Sequence, residues 1–292
     1  MQWQGRRESD NVEDRRGMSG GGKVLAGGGI IGVIVLIVNM LLSGNGDQGI
    51  KLPDIQQQQT QQTQQLSPEE QAADDERAKF VKVVLADTED VWDKIFSQSG
   101  EQYSKPILVL FRGEVESACG NASSASGPFY CPGDQKLYID LSFYQELKER
   151  FNAPGDFAMA YVVAHEVGHH IQKLMGTSDK MQRLRSQLSE EEYNKYSVKL
   201  ELQADFYAGL WAKYASEIKT TDGKSIIDPD DISEALTAAN AIGDDRLQKE
   251  AQGYIVPESF THGTSAQRMY WFKKGFQTGD LKQGDTFNSP DL

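Results

Sequence analysis

Apolar and polar positions alternate along this chain in a few distinct rhythms, each of which predicts a different element. Phe80, Val83, Val84, Val91, Ile95 and Phe96 recur mostly at steps that keep them on one helical face. Ser67-Pro68-Glu69-Glu70 stands before them and reads as an N-cap, a proline at the first helical position and acids in the first turn. Helical structure is therefore expected from there to about Ser97. Pro106 to Phe111 is a continuous apolar run and Lys136 to Leu141 an alternating one, which predicts a buried strand and a half-buried strand. A second continuous run, Phe157 to Val163, lies between Asp156, an N-cap candidate, and Gly176, a helix-ending residue, and reads as a buried helix. Ser189 and Glu192 form a capping box that opens a long helix from about Glu190 to Ala215. Asp230 to Ile242, and the residues from Ser265 onward, complete the series as amphipathic helices. The pattern predicts a mostly α, α+β domain with a small sheet over residues 67–292, long enough for one core.

The first 66 residues obey other rules. Val24 to Leu42 runs for nineteen residues without a charge, enough to cross a bilayer core as a helix. Arg6, Arg7, Arg15, Arg16 and Lys23 precede it, and the next basic residue is Lys51. The positive-inside rule then places residues 1–23 in the cytoplasm, residues 24–42 across the inner membrane, and the domain on the extracytoplasmic, periplasmic side. A cleaved signal peptide is the competing reading, but the polar leader is long and no small-x-small site follows Leu42. Residues 43–66 include an almost unbroken glutamine tract, which cannot bury a core and is expected to act as a flexible tether.

Chemistry concentrates in one turn of the buried helix. His165-Glu166-Val167-Gly168-His169 matches H-E-x-x-H, in which two imidazoles four apart grip one ion while the glutamate stands beside it as general base. The chain has only four histidines, and His165, His169 and His170 fall within six residues. Core histidines satisfied by neighbours are the bland alternative, and this clustering weighs against it. His170 lies about 100° around the helix from His169 and is read as a supporting or surface residue.

A catalytic zinc takes three protein ligands and keeps a fourth position open. In Glu201-Leu202-Gln203-Ala204-Asp205, the two acids share a helical face. Glu201 can be the third ligand, and Asp205 can accept the free ring N–H of a ligand histidine. Ala204 and Gly209 are small enough for this helix to pack closely on the first. Both acids could instead be solvated surface charges, but Leu200, Leu202, Phe206 and Leu210 mark the segment as largely buried. A His₂Glu set makes Zn2+ the default ion.

The H-E-x-x-H and E-x-x-x-D pair resembles the gluzincin arrangement of zinc metallopeptidases. With Gly243-Asp244-Asp245-Arg246 and His262 to Arg268, it resembles the predicted neutral zinc metallopeptidases, single-pass bacterial membrane proteins. The resemblance implies peptide-bond hydrolysis with Glu166 as general base. His262 is then the first candidate for an oxyanion donor, with Tyr161 and Arg268 behind it, although His262 could equally be a cap or surface residue. Arg268 is expected to pair with an acid such as Asp244 or Asp245. In resembling enzymes an edge strand beside the metal helix pairs with the extended substrate, and Leu137, Tyr138, Ile139 and Asp140 are the candidate; the same strand could simply support the core.

Two cysteines, Cys119 and Cys131, flank a stretch rich in Gly, Ser and Ala. In an oxidising compartment they are expected to pair, while in the cytosol they would be free thiols. A net charge of −13 excludes a basic face for nucleic acid and favours neutral or basic polypeptide substrates over anionic ones. The runner-up function is a zinc-stabilised peptide-binding or quality-control factor that cuts little or nothing.

Overall fold

The first domain helix, α1 (Pro68–Gln98), starts where the capping pattern places it. The Ser67 hydroxyl accepts the Glu70 N–H and the Glu70 carboxylate accepts the Ser67 N–H, so two otherwise orphaned donors are satisfied reciprocally. Phe80, Val84, Trp92 and Ile95 carry its inner face into the core. The computed structural model describes residues 1–17, 66–290 and 292. The expected anchor over residues 24–42 lies outside them, as does the expected tether over 43–66 except for its last residue. Among the described residues no helix is long and apolar enough to cross a membrane.

The two strands read from the sequence form the centre of a sheet. β2 (Ile107–Phe111) and β6 (Lys136–Asp140) run parallel, with Leu108 opposite Leu137 and Leu110 opposite Ile139. Between them the chain makes a hairpin, β3 (Glu114–Ser117) and β4 (Gly120–Ser123), and then β5 (Phe129–Cys131), which turns back antiparallel onto β6. With β1 (Val12–Asp14) added, the sheet order is β1-β2-β6-β5. This corrects the expectation that Leu137, Tyr138, Ile139 and Asp140 lie at an edge. β6 is flanked on both sides, and the edge beyond it is β5. Three residues are too few to show a period in sequence, so β5 was not foreseen. A Cys119–Cys131 disulfide ties its end to the turn of the β3–β4 hairpin; closing so short a loop stabilises by about 3 kcal/mol at most.

Residues 1–17 also differ from expectation. The sequence sets residues 1–23 apart from the domain, yet β1 is the outer strand of its sheet, parallel to β2 with Val12 opposite Leu108. The segment is strongly polar, and polar segments carry no hydrophobic period from which a strand could be read.

The remaining elements are α2 (Phe143–Glu149), α3 (Asp156–Leu174), α4 (Thr177–Arg185), α5 (Glu190–Ala215), α6 (Pro229–Ala241), α7 (Asp244–Gln252) and α8 (Ser265–Thr278). The fold is thus mostly helical with small sheets. Central α3 packs on α1, α5 and α6, and α5 lies along α8. Small residues set the closest approaches. A Cβ on Gly168 of α3 would stand 3.0 Å from the Ala204 carbonyl oxygen of α5. Gly209, expected at this same contact, faces α8 instead, where a Cβ would come 2.0 Å from the Phe272 oxygen. Helix α5 is therefore held between α3 and α8, and a residue on each of these neighbours can reach one point on it. Trp92, Trp211, Trp271, Phe157 and Tyr161 fill the shared core.

Candidate metal centre

Helix α3 forms because residues 157–164 are almost wholly apolar and are all buried. Its cap differs from expectation. Gly155, at φ 123°, is the N-cap, and the Glu234 carboxylate of α6 accepts the Phe157 N–H at 3.0 Å. Asp156, the expected cap, is the first helical residue. Gly176, with φ 79°, follows the helix end as the sequence suggests. The apolar stretch thus delivers His165 and His169 to one face, one turn apart, with ring centroids 4.8 Å apart.

Glu201 reaches the same point from α5. Its Oε2 lies 3.1 Å from His165 Nε2 and its Oε1 lies 3.5 Å from His169 Nε2. One ligand atom from each of His165, His169 and Glu201 can be chosen so that all lie within 4.8 Å of one another. Bonds of about 2.0–2.1 Å at tetrahedral angles put neighbouring ligand atoms about 3.4 Å apart, so the donor set fits a zinc ion. Burial favours the protonated form of Glu201, but the two imidazoles outweigh it and hold the carboxyl well below the usual range. The ionised carboxylate therefore faces the place where a cation would sit.

Both imidazoles are oriented from behind. Asp205, fully buried one turn beyond Glu201, accepts from His165 Nδ1 at 2.8 Å, which leaves His165 Nε2 for the ion. The same carboxylate accepts the Tyr161 hydroxyl at 2.5 Å, Arg268 Nε at 2.8 Å and Arg268 Nη2 at 3.0 Å. Burial alone would raise the Asp205 pKa, but Arg268 and His165 reverse this and bring it to about 2. Arg268 is thus paired with Asp205, and the expected pairing with Asp244 or Asp245 is not made. Because Tyr161 and Arg268 are both buried and committed to Asp205, neither is free to act as an oxyanion donor.

His169 is held by a residue the sequence did not single out. Its Nδ1 lies 2.8 Å from Gln172 Oε1. The Gln172 amide is itself fixed, because its Nε2 donates to the Leu200 carbonyl at 2.7 Å and to Gln203 Oε1 at 3.2 Å. The oxygen therefore faces the histidine, which must carry its proton on Nδ1 and present Nε2 to the ion. The i, i+3 spacing of His169 and Gln172 was the available signal.

Glu166 is buried beside this set, and burial raises its pKa above the ordinary glutamate value. His170 points elsewhere. It is buried, its Nδ1 accepts the Tyr130 hydroxyl of β5 at 3.0 Å, and its Nε2 lies 2.6 Å from the Ser104 oxygen. It therefore anchors the edge strand to the metal helix, correcting the surface reading. His262 sits on the loop before α8 with its side chain 51% exposed. The Asp244 carboxylate shapes that loop by accepting the N–H groups of Thr261, His262 and Gly263, and it lies 3.2 Å from His262 Nδ1. Partial desolvation pulls the His262 pKa down, but Asp244 and Glu201 outweigh it and raise it. His262 lies outside the three-residue ligand cluster, close enough for Glu201 to act on its charge.

A family model described as "Putative neutral zinc metallopeptidase" matches residues 1–287. The chain belongs to this family. It is 48% identical over 296 residues to the uncharacterized protein YpfJ of Escherichia coli K12, covering 98% of this chain and 99% of that protein. It is 43% identical over 219 residues to the uncharacterized protein Rv2575 of Mycobacterium tuberculosis H37Rv, 73% of each chain. No solved structure matches.

For this neutral zinc metallopeptidase family member, the Gln172 contact has a measurable consequence. Gln172→Ala should weaken zinc binding by about 10–100-fold, the usual cost of removing a group that orients a ligand histidine. Competition with a chromophoric chelator reads this directly, and an unchanged affinity would mean that His169 needs no such support.

Proposed function

We propose that this protein is a membrane-anchored zinc endopeptidase with a gluzincin-like site, acting on extended polypeptide segments outside the cytoplasm. The observation that carries the reading is the three-ligand set His165, His169 and Glu201 beside the buried carboxylate of Glu166. A structural zinc closes its shell with four protein ligands, whereas three ligands and an adjacent carboxylate suit hydrolysis. The nineteen-residue apolar run supports the anchor. The Cys119–Cys131 disulfide supports an oxidising location for the domain.

Zinc held by His165, His169 and Glu201 would supply a Lewis acid for the scissile carbonyl and for water. Glu166, buried beside those residues, is placed to take a proton from water and pass it to the leaving amine. Asp205 and Gln172 hold the two imidazoles in the tautomers that leave each Nε2 free. His262, half exposed on the loop before α8, is the candidate to donate an N–H to the oxyanion. The substrate strand is assigned to β5, the sheet edge that Tyr130 and His170 join to the metal helix; an extended peptide can add to such an edge through backbone hydrogen bonds. The charge of −13 favours neutral or basic segments.

Purified full-length protein with one zinc bound should cleave an unfolded polypeptide. Chelation should abolish cleavage, and restoring Zn2+ should restore it. Stoichiometric zinc with no cleavage of any unfolded substrate would leave the binding-factor reading instead.

A further inference from the structure

The arginines that precede the apolar run do not hang free. Arg6 holds the Asp87 carboxylate of α1 with both terminal nitrogens, each at 2.6 Å. Arg7 reaches Glu89 at 3.1 Å and Asp90 at 2.7 Å, and donates to the Ala86 carbonyl. Ser9 and Asn11 also donate to Glu89. Arg15 pairs with Glu13, and Arg16 with Asp14, Asp74 and Asp75. At the start of the segment the Met1 amine meets Asp231 of α6 at 2.5 Å. Asp74, Asp87, Glu89 and Asp231 are all buried, and a buried carboxylate requires such partners. The backbone is fixed as well: Ser9 N–H donates to the Lys82 oxygen, Leu108 N–H to the Asn11 oxygen and Arg15 N–H to the Leu110 oxygen.

From this arrangement we infer that residues 1–17 and the metal-binding domain occupy the same compartment. Arg6, Arg7, Arg15 and Arg16 then serve the fold, and their position before residues 24–42 does not report which side of a membrane the N-terminus occupies. A bilayer core is about 30 Å thick, so contacts of 2.5–3.1 Å between arm and domain cannot form across it. This reading departs from the orientation expected from charge bias, which sets residues 1–23 on one side of a membrane and the domain on the other. With both flanks of residues 24–42 on one side, that run cannot cross the bilayer as a single span; the inference keeps the extracytoplasmic location of the proposed function and replaces the spanning form of its anchor.

Single cysteines introduced at exposed positions of the full chain, Asp10→Cys in the arm and Lys249→Cys in the domain, test it. The wild-type chain, with its Cys119–Cys131 pair, sets the background labelling. In spheroplasts treated with a membrane-impermeant maleimide, both variants should label to the same extent before lysis. Labelling of one variant before lysis and the other only afterwards would overturn the inference. If both label only after lysis, arm and domain still share a compartment, and it is the extracytoplasmic location under the proposed function that fails.

Discussion

Glu166→Gln should leave zinc binding at the wild-type level while lowering kcat for peptide hydrolysis by about 10²–10⁴-fold, the range of a positioned general base. The substitution keeps the size of the side chain and removes its charge and basicity. Ligand geometry should survive, because each imidazole is oriented from its far side, His165 by Asp205 and His169 by Gln172. Glu166 itself is absent from the ligand cluster. Burial already disposes it to hold a proton, which is what a group that takes a proton from water and gives it to an amine must do. Zinc content and steady-state kinetics on the same preparations decide the matter. Full activity in the variant would mean that the base lies elsewhere, and His262 would be the next group to replace.

What the sequence revealed follows from how far apart the interacting residues are. Both helix starts form as read, the N-cap Ser67 before Pro68 and the capping box of Ser189 with Glu192, because a cap is settled within four residues. The convergence of His165, His169 and Glu201 was equally legible, since H-E-x-x-H on an apolar helix and E-x-x-x-D on another each obey helical spacing. Two kinds of feature escaped. Short strands such as β1 and β5, with three residues each, exist only because a neighbour offers an edge, and no local period announces them. The choice of partner for a buried arginine was the other. Arg268 lies 63 positions from Asp205 and only 24 from Asp244, yet α8 lies along α5 and brings it to the former. Asp244 is instead occupied by three backbone N–H groups of the His262 loop. Both acids are satisfied, and only the three-dimensional packing distinguishes which donor each receives.

Arg268→Ala should be the most destabilising single change at the site, by about 3–5 kcal/mol, because it strands a buried carboxylate without its cation. Asp205 is 0% exposed and Arg268 2%, so water cannot replace the lost partner without opening the α3–α5–α8 junction. Urea denaturation should show a lower midpoint with an unchanged m-value. Combining it with Asp205→Asn should recover part of the loss, since no ion then remains unpaired; the recovery measures the coupling between the two residues. Acid provides an independent check of sign. The Asp205 pKa is depressed from 3.8 to about 2, so its ionised form contributes stability that is present above about pH 4 and is lost as pH falls towards 2. Removing Arg268 takes away the principal cause of that depression, so stability in the variant should fall less steeply across this window than in wild type. An equally steep acid branch would show that His165 and Tyr161 alone keep Asp205 ionised, and that Arg268 serves packing more than charge. A small shift in midpoint would point the same way. If the full destabilisation is seen with zinc still bound, the ion pair supports the fold at the point where three helices meet, and the orientation of His165 is a consequence of that support.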